Sequence, residues 1–195
     1  MDFKNLTFER LLADAKKLNI ASNDSYIIAY PEFIQFFESL DEIKKHHLII
    51  SSHFVYGWMP TIIKINNSKI EDSLTILNKA KTGIQLNCSE LENLKSCINN
   101  SMVGTSKLLH FIAPNEYAIW DSRIYRYITG KMQQNNINNA QNYLDYLDKL
   151  KTIIKHTNFQ QLYKLVNNQF KDYSISAMRA VEIVMFETNK LNNKS

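Results

Sequence analysis

Breakers of regular structure are scarce in this sequence. Four glycines and three prolines stand among 195 residues. Apolar residues meanwhile recur every three to four positions. This combination excludes the turn-rich pattern of an all-β chain and predicts an all-α protein. Cysteine is scarcer still, with only Cys88 and Cys97. No CxxC pair exists, which excludes four-cysteine zinc and iron–sulfur sites and a disulfide scaffold. The two thiols read as inert, in a reducing, cytoplasmic setting. No window approaches the ~18 uninterrupted apolar residues of a membrane helix, so no membrane partner is expected. The N-terminal stretch is amphipathic and carries Asp2, Glu9 and Asp14. It lacks the basic start, apolar block and small-residue cleavage site of a signal peptide. Arginine is rare, at positions 10, 123, 126 and 179, and lysine supplies nearly all the positive charge. The net charge of +4 permits a polyanionic partner without requiring one. No metal is assigned to His46, His47 or His53, and no cofactor is expected.

What is present is ordinary for a soluble globular chain, with 45% hydrophobic and 22% charged residues. A chain of this length buries roughly 70% of the surface it exposes when unfolded. Residues 1–191 are expected to form a single helical domain and a monomer, with two lobes as the alternative and 192–195 as a frayed tail. Phe8, Leu11, Leu12 and Ala15 mark a first helix. Phe33, Phe36, Phe37 and Leu40 mark a second, beginning after Pro31. The run from Ile49 to Tyr56 is the one place where a short strand fits. The Asn/Gln-rich stretch 132–142 reads as an exposed insertion, and Asn-rich patches within it as compositional.

Residues 89–128 carry more information than the rest. An amphipathic helix from Ser89 to Ile98 runs into a short polar turn containing Gly104. A second helix starts near Thr105 or Ser106 and ends at Pro114. The apolar stretch from Tyr117 to Trp120 then delivers Asp121 to the N-cap of a third helix. The glycine lets the backbone approach a partner closely, and the amides at the start of the second helix suit a phosphate oxygen. Lys107 begins one helix and Asp121 caps another, fourteen residues later.

Val103-Gly104-Thr105 with Lys107, then Ile119-Trp120-Asp121-Ser122-Arg123-Ile124, resembles the helix–hairpin–helix and aspartate signature of the base-excision DNA glycosylase superfamily. The segment is most similar to the 8-oxoguanine DNA glycosylases, whose hairpin reads roughly G-V-G-T-K. The resemblance implies an orthogonal helical bundle that binds duplex DNA, flips a damaged or modified base and cleaves its N-glycosidic bond. It implies Lys107 as nucleophile and Asp121 as its acidic partner, with strand cleavage by β-elimination. Gly104, Thr105, Ser106 and Arg123 would contact DNA. His110, Trp58 and Trp120 would line the base pocket. The chain departs from the pattern in having Ser106 where a lysine would follow the threonine directly. Lys107 lies one residue later, about 100° around the helix. Whether Lys107 or Ser106 takes the nucleophile position stays open on sequence.

Each of these residues also has a plainer role. Asp121 suits a helix cap, Lys107 a phosphate contact or a solvated surface, and His110 a hydrogen-bonded core. Trp58 suits core packing. Arg179 and Glu182, three apart on the last helix, suit an intrahelical pair. The lysines at 149, 151, 155, 164 and 171 form either a basic flank for DNA or a solvated face. The alternative to an enzyme is a non-catalytic helical module that binds nucleic acid or another protein, such as a defence-system component.

Overall fold

In the computed structural model, every element of regular structure among the described residues is helical. The structure describes residues 1–20, 25–57, 59, 61–170 and 172–192, the last two by backbone alone. Ten α-helices follow one another: α1 (Phe8–Ala15), α2 (Ser25–Glu38), α3 (Lys45–Gly57), α4 (Ile70–Lys81), α5 (Cys88–Cys97), α6 (Met102–Ile112), α7 (Ser122–Thr129), α8 (Ala140–Ile154), α9 (Phe159–Asn167) and α10 (Ala177–Asn192). No described helix is long and apolar enough to cross a membrane. Among the described residues no His/Cys/Asp/Glu cluster of metal-binding size occurs.

Polar side chains set most of the helix starts, by accepting from amides the helix itself leaves unpaired. Thr7 caps α1 and Ser101 caps α6. Asn87 and Glu90 form a reciprocal capping box on α5. Asn139 caps α8, and Asn138 accepts from the Met102 amide while donating to the Asn100 carbonyl. The stretch expected as a loose insertion is thus tied to the start of α6 by its asparagines.

Three expectations about local structure need correction. The run from Ile49 to Tyr56 is not a strand but lies within α3. Pro31 does not precede α2 but sits inside it. Proline has no N–H to offer the Ile27 carbonyl, and the Tyr173 hydroxyl donates to that carbonyl instead, at 3.0 Å. Gly104 does not make the turn before α6. Asn99 and Asn100 do, with φ of 53° and 49°, the left-handed region that asparagine tolerates better than most residues.

Gly104 lies inside α6, against α3. A Cβ there would meet Tyr56 Cε2 and Cζ at 2.8 Å, and Oη nearer still. The close approach this glycine permits is therefore to a buried tyrosine of the same chain. Gly104→Ala should gain about 1 kcal/mol in helix propensity but lose more to overpacking, which costs about 1–3 kcal/mol. A net loss on the order of 1 kcal/mol is expected in a urea titration. Adding Tyr56→Phe should restore part of it.

The helices pack in two groups. α2, α3, α4 and α5 gather on α6, while α1, α7, α8 and α9 gather on α10. The N-terminal helix thus joins the C-terminal group, where Arg10 donates to the Tyr127 carbonyl and Tyr127 donates to Asp14. Between α6 and α7 runs the apolar stretch from Tyr117 to Trp120, fully buried or nearly so.

Candidate functional site

Residues 117–120 have no strand partner, yet their carbonyls are buried and must be paired. Side chains pair all four. His110 Nδ1 lies 2.7 Å from the Tyr117 carbonyl. Tyr143 donates to Ala118 at 2.9 Å and Tyr146 to Ile119 at 3.1 Å. Ser106 Oγ accepts from the Trp120 amide at 3.0 Å and shares its one proton between the Val103 carbonyl at 2.9 Å and the Trp120 carbonyl at 3.1 Å. This scaffold from α6 and α8 fixes where the chain emerges at Asp121.

Asp121 opens α7. Its Oδ1 accepts from the Arg123 and Ile124 amides at 2.9 and 3.1 Å. Such a cap is worth about 1 kcal/mol. It also locks the carboxylate in one orientation, and the side chain lines a half-open cavity of about 570 Å³. Lys107 lies on the wall of the same cavity, from α6, with Arg179, Glu182 and Phe186 contributed by α10. Met59, Val103, Ile137 and Ile183 supply apolar surface. The volume falls in the range of small-molecule sites.

Lys107 is 8% exposed and forms no hydrogen bond or ion pair among the described residues. Its ammonium is largely withdrawn from water, though not sealed from it, and gains no direct partner among the described residues. Burial therefore moves its pKa below the usual lysine value. Asp121 and Glu182 oppose that shift, while Arg179 and Arg123 add to it. A lower pKa raises the share of neutral amine, the form with a lone pair to donate.

The same cavity is lined by a buried ion pair. Arg179 Nη1 contacts Glu182 Oε2 at 2.5 Å, with Glu182 only 1% exposed. The guanidinium also stands over the Tyr30 ring, 4.7 Å from its centroid. Burial raises the Glu182 carboxyl to about 7, and Arg179 pulls against that rise.

Other residues singled out from sequence are placed differently. Thr105 and Ser106 are fully buried and, with Gly104, face the interior rather than a DNA backbone. Ser106 is committed to Trp120, so Lys107 is the residue at the cavity. Ser106→Ala would leave the buried Trp120 amide unpaired and should cost about 1–3 kcal/mol in thermal or urea unfolding.

His110 is fully buried and does not line the cavity. A carbonyl only accepts, so Nδ1 carries the proton, and Nε2 accepts from the Tyr30 hydroxyl at 2.9 Å. Both ring nitrogens are used by the neutral tautomer, and burial lowers the pKa to about 3. Trp120 is likewise core, with its indole N–H donating to the Ile137 carbonyl at 2.8 Å and its ring beside Tyr146. Trp58 lies outside the described residues. Arg123 does line the cavity, with its guanidinium 4.5 Å from the Phe186 ring centroid. Of the lysine flank, Lys151 is taken by Glu116 and Gln85, and Lys171 lies outside the described residues.

The pairing of Arg179 with Glu182 was expected, but its place in the cavity was not. The signal that existed was two charges inside the otherwise apolar run from Ala177 to Phe186. Charges on a buried helix face are retained only where they are paired or used.

No protein-family model matches the chain, and neither a curated protein nor a solved structure matches it.

Proposed function

We propose that the chain is a helix–hairpin–helix DNA-glycosylase-like enzyme, which removes a damaged or modified base from duplex DNA and cleaves the resulting abasic site. The observation that carries this reading is Lys107, a desolvated amine without an ion-pair partner among the described residues, in a cavity with a fixed carboxylate. Enzymes that act on a base take it out of the stack and hold it between apolar or aromatic groups. Phe186, Met59 and Ile183 offer such walls.

In this reading the Lys107 amine bonds to C1′ of the flipped nucleotide as the N-glycosidic bond breaks. The base leaves with the bonding pair and takes up a proton. Ring opening then gives a protonated Schiff base. Loss of a C2′ proton expels the 3′ phosphate, which is β-elimination. Asp121 supplies a fixed negative charge beside the positive character that develops at the sugar. The buried hairpin residues leave phosphate contact to Arg123 at the cavity and to surface lysines.

Borohydride trapping tests the reading. The protein is incubated with duplexes carrying 8-oxoguanine, uracil or an abasic site, then reduced and run on a denaturing gel. A covalent band is expected on at least one duplex. Asp121→Asn keeps a good helix cap and should slow base loss by about 10²–10³-fold. A protein that shifts these duplexes at low salt yet gives no band on any of them is a non-catalytic binding module.

A further inference from the structure

Two further carboxylates line the cavity, Glu182 and Glu187, and the scheme above uses neither; Glu187 is paired with Lys190. Glu182 is 1% exposed and lines the same space as Lys107. Its two oxygens differ. Oε2 is taken by Arg179, while Oε1 has no hydrogen-bond partner among the described residues and is not sealed from solvent. The neighbouring groups are already occupied. From α8, the Tyr143 and Tyr146 hydroxyls are spent on the carbonyls of Ala118 and Ile119. From α2, the Tyr30 hydroxyl is spent on His110. At the start of α7, Asp121 gives Oδ1 to two helix amides, and the Arg123 guanidinium lies over Phe186. On α10 itself, Arg179 is paired with Glu182.

We propose that Glu182 is the proton acceptor for the Lys107 amine, taking the ammonium proton across the cavity and returning it later in the reaction. With an aldehyde the steps balance. Lys107 and Glu182 form no direct ion pair, so the proton passes between them through water in the cavity and leaves a neutral amine. The nitrogen lone pair forms the C–N bond as the carbonyl π pair moves to oxygen, and one proton then passes from the nitrogen to that oxygen to give the carbinolamine hydroxyl. The Glu182 proton goes to that hydroxyl, which departs as water and leaves the protonated Schiff base. The carboxylate is regenerated. The first transfer removes the buried charges of Lys107 and Glu182, which burial favours, while the loss of a counter-charge for Arg179 opposes it. The directions agree, since burial lowers Lys107 and raises Glu182 to about 7. Groups whose ionisation environments are pushed toward each other in this way can exchange a proton near neutrality. The proposal rests on Lys107 as nucleophile and not on DNA as its target.

The test uses the full chain, pyridoxal as the aldehyde, and borohydride to fix the product. Labelling at Lys107 is followed by peptide mass spectrometry, with surface lysines as the internal reference. In wild type, the Lys107 rate should rise through about pH 7 and then level, as a general base of that pKa requires. Glu182→Gln should label Lys107 about 10²-fold more slowly, with surface lysines unchanged. Labelling of Glu182→Gln as fast as wild type, or faster, overturns the proposal. That is the result if Glu182 only raises the amine's pKa through its charge. If Glu182→Gln does not fold, the wild-type profile decides alone. A Lys107 rate that climbs without inflection to beyond about pH 9, as an ordinary lysine's does, overturns it. Labelling that depends on Glu182, in a protein that traps no DNA, supports the proposal and removes the nucleic-acid reading. DNA trapping at the wild-type rate in Glu182→Gln overturns the proposal and leaves that reading intact.

Discussion

Lys107→Gln should, on the proposed glycosylase reading, abolish base excision and borohydride trapping, a loss of about four orders of magnitude or more, because the proposed nucleophile is gone. Stability should move the other way. Lys107→Met keeps the length of the side chain and removes an ammonium that burial largely withdraws from water and that has no direct partner among the described residues. Its melting temperature should equal or exceed that of wild type, by a gain of up to about 1 kcal/mol. An ordinary structural lysine gives the opposite pattern, losing stability with the charge and leaving activity in place. Measuring both quantities on the same two variants separates the cases.

Arg179→Met should be the most destabilising single change at the site. It leaves Glu182 buried and unpaired and uncovers the Tyr30 ring. Breaking a buried pair from one side costs about 3–5 kcal/mol. The double variant Arg179→Met/Glu182→Leu, which removes both charges, should recover most of that loss. The pH dependence follows in sign. Glu182 titrates at about 7 in the folded protein, above the 4.5 of an ordinary glutamate carboxyl. Between those values the folded state holds a proton that the unfolded state has released, so stability falls as pH rises through this window. Arg179 pulls the carboxyl down, so its removal extends the window upward. Urea titrations of Arg179→Met at about pH 5 and pH 8 should therefore differ more than those of wild type, with the lower pH more stable. A variant as stable as wild type at both pH values would show that the pair does not hold α10 in place.

Much of this was legible in the chain, because helices announce themselves through spacing and caps. The Asp121 cap, the apolar approach to it and the pairing of Arg179 with Glu182 all follow from local rules. The failures share a cause, which is that they depend on contacts remote in sequence. Pro31 ends no helix because Tyr173, far along the chain, pairs the carbonyl it frees. Gly104 resembles a hairpin glycine until Tyr56 is seen against it, and the left-handed turn falls to Asn99 and Asn100 instead. His110 and Trp120 carry chemistry suited to a pocket, yet their polar atoms are used by Tyr30, Tyr117 and Ile137. One residue of helix phase decides which side chain reaches the cavity, since Ser106 turns to the Trp120 backbone and Lys107 turns to the cavity.

The central claim is that one amine in this chain, Lys107, is a nucleophile. The most direct measurement is the position of the borohydride-reduced adduct with abasic duplex DNA, found by peptide mapping. The account predicts a single modified peptide spanning Lys107, present in wild type and absent from Lys107→Gln. Adducts spread over exposed lysines or the Met1 amine, and unchanged in Lys107→Gln, would contradict it.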